Sequence, residues 1–137
     1  MKAALLVEPG RIELQELPDP HPGPGQVVVN VRSCGVCATD VKKFTGASKA
    51  PFLPFLLGHE PAGIIEETGP GVTADALQPG QRVAVEPVLA CGTCPECRSG
   101  RVATVGMGMC QHYQVLGGTI NGAFSDKLLI PAVAVHP

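Results

Sequence analysis

Tryptophan is missing from this 137-residue chain, and aromatic side chains make up only 4% of it. Nucleic-acid modules interleave aromatic with basic residues. Neither the aromatics nor the charge is available here, since the net charge is −2 and the pI is near 6.0. Charge of either sign is scarce at 16%, against 45% hydrophobic residues, a balance that excludes disorder. No apolar run approaches the length of a bilayer span. Residues 3–7, cut off by Glu8-Pro9-Gly10, are too few for a signal-peptide core. Internal repeats and low-complexity tracts are also lacking. These absences set three expectations: no nucleic-acid partner, no membrane partner, and a cytoplasmic location in which cysteines stay reduced.

Turn-forming residues are plentiful, with 17 Gly and 14 Pro. Strand-like runs at 2–7 and 12–17 flank Glu8-Pro9-Gly10-Arg11 as a hairpin. A Pro/Gly connector at 18–25 cannot be helix or central strand, and His21 within it reads as a solvated loop residue. Alternation predicts a strand at 26–33, one or two helical turns around 41–44, and further strands at 62–68, 82–86, 113–116 and 123–130. Short strands at this spacing predict a mainly β fold, a partly open barrel formed by one domain over 1–137.

Six cysteines fall into two groups. Cys91, Cys94 and Cys97 recur every third position, and Cys110 follows after twelve residues. Packing gives no reason for that repeat in a segment rich in Gly, Pro and charge, whereas four thiolates around one tetrahedral ion do. Zn2+ is the first choice for an all-thiolate set with no open position, and a pair of disulfides is the alternative. Cys34 and Cys37 lie at the end of a strand. They could form a redox pair, join Cys91 and Cys94 in one site, or contribute a single ligand.

The last option pairs Cys37 with His59. A catalytic zinc keeps a position open and draws mixed ligands from separate parts of the chain. Gly58 allows close approach, Glu60 supplies charge, Thr39 offers a hydroxyl for a proton, and Asp40 offers a carboxylate to orient an imidazole. Taken singly each signal is weak, because a lone His in a β-rich domain is more often core or surface than a ligand.

Gly58-His59-Glu60-Pro61-Ala62-Gly63, Cys34-Gly35-Val36-Cys37-Ala38-Thr39-Asp40 and the four-Cys lobe, in this chain order, resemble the zinc-containing medium-chain alcohol dehydrogenases. Gln78-Pro79-Gly80-Gln81-Arg82-Val83-Ala84-Val85 and Gly122-Ala123-Phe124-Ser125-Asp126 resemble the family's connectors on either side of the lobe. Val85-Glu86-Pro87 and the run from Gln111 through Gly117 point to the polyol and threonine dehydrogenase branch. The resemblance implies a GroES-like barrel with two zinc sites. Cys37 and His59 would be catalytic ligands, with Glu60 beside them as a direct ligand or one step removed. Thr39 would accept the substrate's proton, with Asp40 behind the ligands. Cys91, Cys94, Cys97 and Cys110 would hold the structural zinc, in a lobe spanning 91–110.

The chain departs from the family's pattern in three places. The gap before Cys110 is five residues longer than usual, the excess falling within 102–109, where Gly106 and Gly108 would let the loop bulge. His112 is an alternative fourth ligand. Lys42 or Lys43 stands where a relay histidine is common, and an amine shuttles protons only when its pKa is lowered. No Gly-x-Gly-x-x-Gly follows a strand. The resemblance places the nicotinamide domain and the remaining zinc ligand beyond Pro137, so the chain is expected to be the catalytic-domain portion, inactive alone. Two function classes follow. The first is an NAD(P)-linked dehydrogenase of a small-molecule alcohol or polyol, a homo-oligomer at full length. The second is a zinc-stabilised binding or regulatory module of the same fold.

Overall fold

The computed structural model describes residues 1–73, 77–100 and 109–137. Along the described chain the elements run β1 (Lys2–Glu8), β2 (Arg11–Glu16), β3 (Gln26–Gly35), α1 (Ala38–Phe44), β4 (Phe55–Leu56), β5 (Glu60–Thr68), β6 (Arg82–Val85), β7 (Val88–Leu89), α2 (Pro95–Arg98), β8 (Gln114–Val115), β9 (Lys127–Pro131) and β10 (Val135–His136). A 3-10 turn at Ala132–Ala134 joins the last two.

Three antiparallel sheets organise them. The hairpin β1–β2 pairs Glu8 with Arg11 across Pro9-Gly10, and β4 adds to the free side of β1. Gly10 takes a φ of 82°, a left-handed conformation natural to glycine. The main sheet runs β10-β6-β5-β3-β9, and β7 pairs with β8 in a two-stranded ribbon. Alternation explains the core. Val27 and Val29 of β3, Val83 and Val85 of β6, and Leu128 and Ile130 of β9 are spaced by two, so each pair shares one sheet face. Each such side chain, fully buried, contributes about 1.5–3 kcal/mol of transfer free energy. The mainly β, partly open barrel expected from the sequence is the fold observed.

The boundaries differ from expectation where one segment serves two sheets. The strand foreseen at 123–130 is regular only over Lys127–Pro131. Ahead of it Ala123 and Phe124 donate backbone N–H to Gly58 and Leu57 carbonyls, while the Phe124 carbonyl accepts from Ala4. The first residues thus bind β1 and the loop after β4, whereas Lys127–Pro131 pair with β3 in the main sheet, so no single ladder runs through 123–130. The strand foreseen at 113–116 shortens to Gln114–Val115, and the helix starts three residues earlier than expected, at Ala38. Residues 102–108, where the extra loop length with Gly106 and Gly108 was expected, lie outside the described residues.

This strap fixes the loop before β5. Gly58 has φ +90°, and a Cβ there would stand 2.5 Å from Phe124 Cδ1 and 3.0 Å from Cys34 Sγ. Gly58→Ala is expected to cost at least about 2 kcal/mol, from backbone strain and the ring it displaces. Urea unfolding checks this, and a variant as stable as the parent would remove the strap's claimed rigidity.

Candidate metal centres

Two groups of donors come together, each built by local chemistry. At the first, β3 ends at Gly35 and the chain turns into α1 with Cys37 as the N-cap residue, at φ −87° and ψ 158°. Asp40, at the third helical position, reaches back so that Oδ2 accepts the Cys37 N–H at 2.9 Å. This is the acidic half of a capping box, satisfying one orphan donor of the helix start. The other oxygen, Oδ1, accepts the Gly58 N–H at 3.0 Å and lies 3.6 Å from His59 Nδ1. Asp40 is 2% exposed and is the buried charged residue among those described. Its carboxylate therefore staples the helix start to the loop carrying His59.

Cys37, His59 and Glu60 then present a sulfur, a ring nitrogen and a carboxylate oxygen within 4.8 Å of one another. Strand register explains Glu60's place. Gly35 pairs with Glu60 across β3–β5, and a Cβ at position 35 would overlap Glu60 Oε2. A bare Cα at 35 makes room for the carboxylate, and nothing in the sequence pattern signalled this role for Gly35. Thr39 sits exposed in the first turn of α1. A mixed S, N, O donor set of which Glu60 is exposed suits a divalent ion with an accessible position.

Cys34 shares neither group among the described residues. Its thiol is pushed above the ordinary range, first by burial, although a hydrogen bond from the Glu60 backbone opposes the shift. A raised thiol is a poor redox nucleophile.

The second group is the lobe. The ribbon β7–β8 pairs Val88 with Val115 and Leu89 with Gln114. It brings Cys91 and Cys110 back to one place, so sulfur convergence does not depend on the length between them. Cys94 caps α2, with Pro95 at the first helical position. The Sγ atoms of Cys91, Cys94, Cys97 and Cys110 lie within 4.8 Å of one another, with Cys91 and Cys97 3.9 Å apart. Zn–S bonds of about 2.3 Å in a tetrahedron give an edge of about 3.8 Å, so these thiols fit zinc closely. All six cysteines are free thiols, which disposes of the disulfide alternative in this structure.

Hydrogen bonds prepare the sulfurs for charge. Thr93 Oγ1 and the Cys94 N–H donate to Cys91 Sγ at 3.5 and 3.4 Å, and the Cys91 N–H donates to Cys110 Sγ at 3.3 Å. The Cys91 thiol is pulled down to about 5 by the Thr93 hydroxyl, aided by the Thr93 and Cys94 backbone N–H groups. Cys97 is pushed up to about 12, first by withdrawal from water and then by its bonds to Cys94 and Cys110. One thiolate forms readily while a neighbour resists, and a cation among them removes that conflict. Thr93 is a contributor that the Cys spacing alone does not flag. His112 is exposed and lies outside both groups.

Comparison with known proteins identifies the family of the fold. The model of the alcohol dehydrogenase GroES-like domain matches residues 23–137. The L-threonine 3-dehydrogenase of Cutibacterium acnes is 40% identical over 134 residues, covering 94% of this chain and 36% of that protein. Among solved structures, galactitol-1-phosphate dehydrogenase from Escherichia coli superposes with TM-score 0.87 at 31% identity, over 99% of this chain and 37% of that one. The cobalt- and zinc-bound thermostable alcohol dehydrogenase from Pyrobaculum aerophilum gives TM-score 0.83 at 34% identity, over 98% and 40%. The chain thus spans little more than a third of the relatives it matches.

Proposed function

From the premise that this chain belongs to the alcohol dehydrogenase GroES-like domain family, we propose that it forms the zinc-bearing catalytic domain, over 1–137, of an NAD(P)-linked dehydrogenase acting on a small alcohol or polyol. The observation that carries the reading is the convergence of Cys37, His59 and Glu60 beside Thr39. Cys37, His59 and Glu60 hold a catalytic zinc. Cys91, Cys94, Cys97 and Cys110 hold a structural zinc that leaves no room for substrate. When bound, zinc supplies Lewis acidity at the alcohol oxygen and the nicotinamide supplies the hydride acceptor.

The chain's own residues do the remainder. Asp40 holds the Cys37 and Gly58 backbones by two hydrogen bonds and keeps the His59 ring turned, so the donors are pre-set before substrate arrives. Thr39 Oγ1, exposed at the helix start, accepts the proton of the substrate hydroxyl and releases its own to water. Lys42, one turn further on, is exposed.

The decisive experiment counts metal. Cys37→Ala in the zinc-loaded protein is expected to lose one zinc and keep the lobe zinc under mild chelation. In a protein that joins this domain to a nicotinamide domain, the same variant abolishes alcohol-dependent NAD(P) reduction. Retention of both zincs, or full turnover, would defeat the assignment. The same metal count separates this reading from a purely structural zinc module, which would carry the lobe ion alone.

A further inference from the structure

The sequence holds two asparagines, Asn30 and Asn121. Asn30 precedes Val31 inside β3, where a branched side chain crowds the following nitrogen. Asn121 precedes Gly122, which has no side chain to stand in the way. An Asn-Gly pair is open to deamidation. The Gly nitrogen attacks Cγ of the Asn side chain, so that an N–Cγ bond forms and the Cγ–Nδ2 bond breaks. Ammonia leaves with the proton of the Gly N–H, and a succinimide remains. Water then opens that ring at either carbonyl, to aspartate or to isoaspartate. Water is the only co-reactant.

The fold ties both reacting groups to a single residue. The Gly122 N–H donates to the Leu56 carbonyl at 2.8 Å, and Asn121 Oδ1 accepts the Leu56 N–H at 3.1 Å. Leu56 is buried in β4. Attack requires the Gly122 nitrogen to give up its proton, and a hydrogen bond holds that proton. Attack also requires the carboxamide to turn face-on to that nitrogen, and the Leu56 N–H holds its oxygen. Gly122 is buried without slack, since a Cβ there would overlap the Leu57 and Gly58 carbonyl oxygens. Asn121 is exposed, so water and base reach its side chain. Bonding of the pair, and not its depth, is therefore the barrier.

We propose that Asn121 is a deamidation site gated by the strap of residues 122–124. It is silent while Gly122 is bonded to Leu56 and reactive when the strap parts. The two products differ in consequence. Aspartate keeps an oxygen for the Leu56 N–H and lets the strap close again. Isoaspartate routes the main chain through Cβ and Cγ, which adds a backbone carbon between 121 and 122. The N–H groups of Gly122, Ala123 and Phe124 meet the carbonyls of Leu56, Gly58 and Leu57 at 2.8, 2.9 and 3.0 Å. A lengthened backbone cannot restore all three in register. Gly58 then loses an anchor, and the loop carrying His59 loses it too. Each opening of the strap thus exposes the chain to a permanent one. No metal enters this chemistry.

The test incubates the purified chain at mildly alkaline pH, folded or in urea, and follows the tryptic peptide 102–127 by mass and by isoaspartate assay. Deamidation at Asn121 is expected to be roughly a hundredfold or more slower in the folded chain, where it waits for an opening. Phe124→Ala removes the ring packed against Gly58 and should raise the folded-state rate roughly tenfold. Circular dichroism checks that this variant is folded, and Phe124→Leu makes the same comparison with a milder change. The isoaspartyl chain, separated by chromatography, should exchange the Gly58 and Ala123 amides roughly tenfold faster than the parent. Asn121→Asp should protect them as the parent does. Equal rates in folded and unfolded chain, a rate indifferent to Phe124, or parent-like protection of Gly58 in the isoaspartyl chain would each overturn the proposal.

Discussion

Replacing Cys110 by serine should release the lobe zinc and lower the thermal midpoint by roughly 10 °C, in a domain where a metal ion supplies part of the folding free energy. Four sulfurs converge within 4.8 Å of one another, and Cys110 is 3% exposed, so its removal opens the closed side of the set. Of the remaining three, Cys97 resists ionisation for want of a cation, while Cys91 ionises readily. Three mismatched thiols hold zinc far less well than four. The segment has little else to hold it, since α2 is a single turn and β7–β8 a two-residue ribbon. Metal analysis and calorimetry, with chelated parent protein as reference, measure the effect. Serine variant and parent should melt together once both are fully chelated. Unchanged zinc content, or a midpoint that chelation leaves untouched, would remove the lobe from the stability account.

Asp40→Ala should destabilise the fold by about 3–4 kcal/mol and weaken zinc at the Cys37–His59 site by roughly 10–100-fold. The carboxylate takes a backbone N–H with each oxygen, at 2.9 and 3.0 Å, and the second partner, Gly58, is buried. Each hydrogen bond to a charged acceptor is worth about 1.5–3 kcal/mol, and alanine leaves both donors without one. Asparagine is not a conservative repair, because one of its two ends is a donor and would face an N–H. Asp40→Asn should therefore fall between parent and alanine. Urea unfolding gives the stability and competition with a chromogenic chelator gives the affinity. A zinc affinity unchanged in Asp40→Ala would show that the staple holds the fold but does not orient the donors.

The two donor groups were unequally legible. The lobe's cysteines announce themselves because their spacing is local and repetitive, and packing cannot mimic it. Cys37 and His59, 22 positions apart, mean nothing by spacing; donor chemistry paired them only through signals that are weak singly, and the resemblance of both motifs to one family strengthened the pairing. The relation of Gly35 to Glu60 was invisible, since it exists only once β3 and β5 adopt the register that sets them opposite. Asp40's burial was likewise out of reach, because carboxylates belong on the surface unless a specific set of donors receives them. Two-residue strands such as β4, β7 and β10 are too short to show a period of two, and only their partners define them. The barrel itself could be read from alternation along β3, β5, β6 and β9. The start of the last strand could not, since residues 123 and 124 take partners from two directions.

That crossing strap also governs how the protein opens. Amide exchange proceeds through whichever opening costs least. The N–H groups of Gly58, Ala123 and Phe124 are tied to Asp40, to Gly58 and to Leu57, and the Phe124 carbonyl is tied on to Ala4 in the hairpin sheet. A fluctuation that frees the His59 loop must break its ties to α1 and to the strap, and the strap is itself held to β1. The loop amides are therefore expected to exchange more slowly than those of a loop without such ties. The lobe, joined through its short ribbon, is expected to form a separate unit whose amide exchange a bound ion would slow. A protein built this way would lose an ion from the lobe and still keep Cys37, His59 and Glu60 in register.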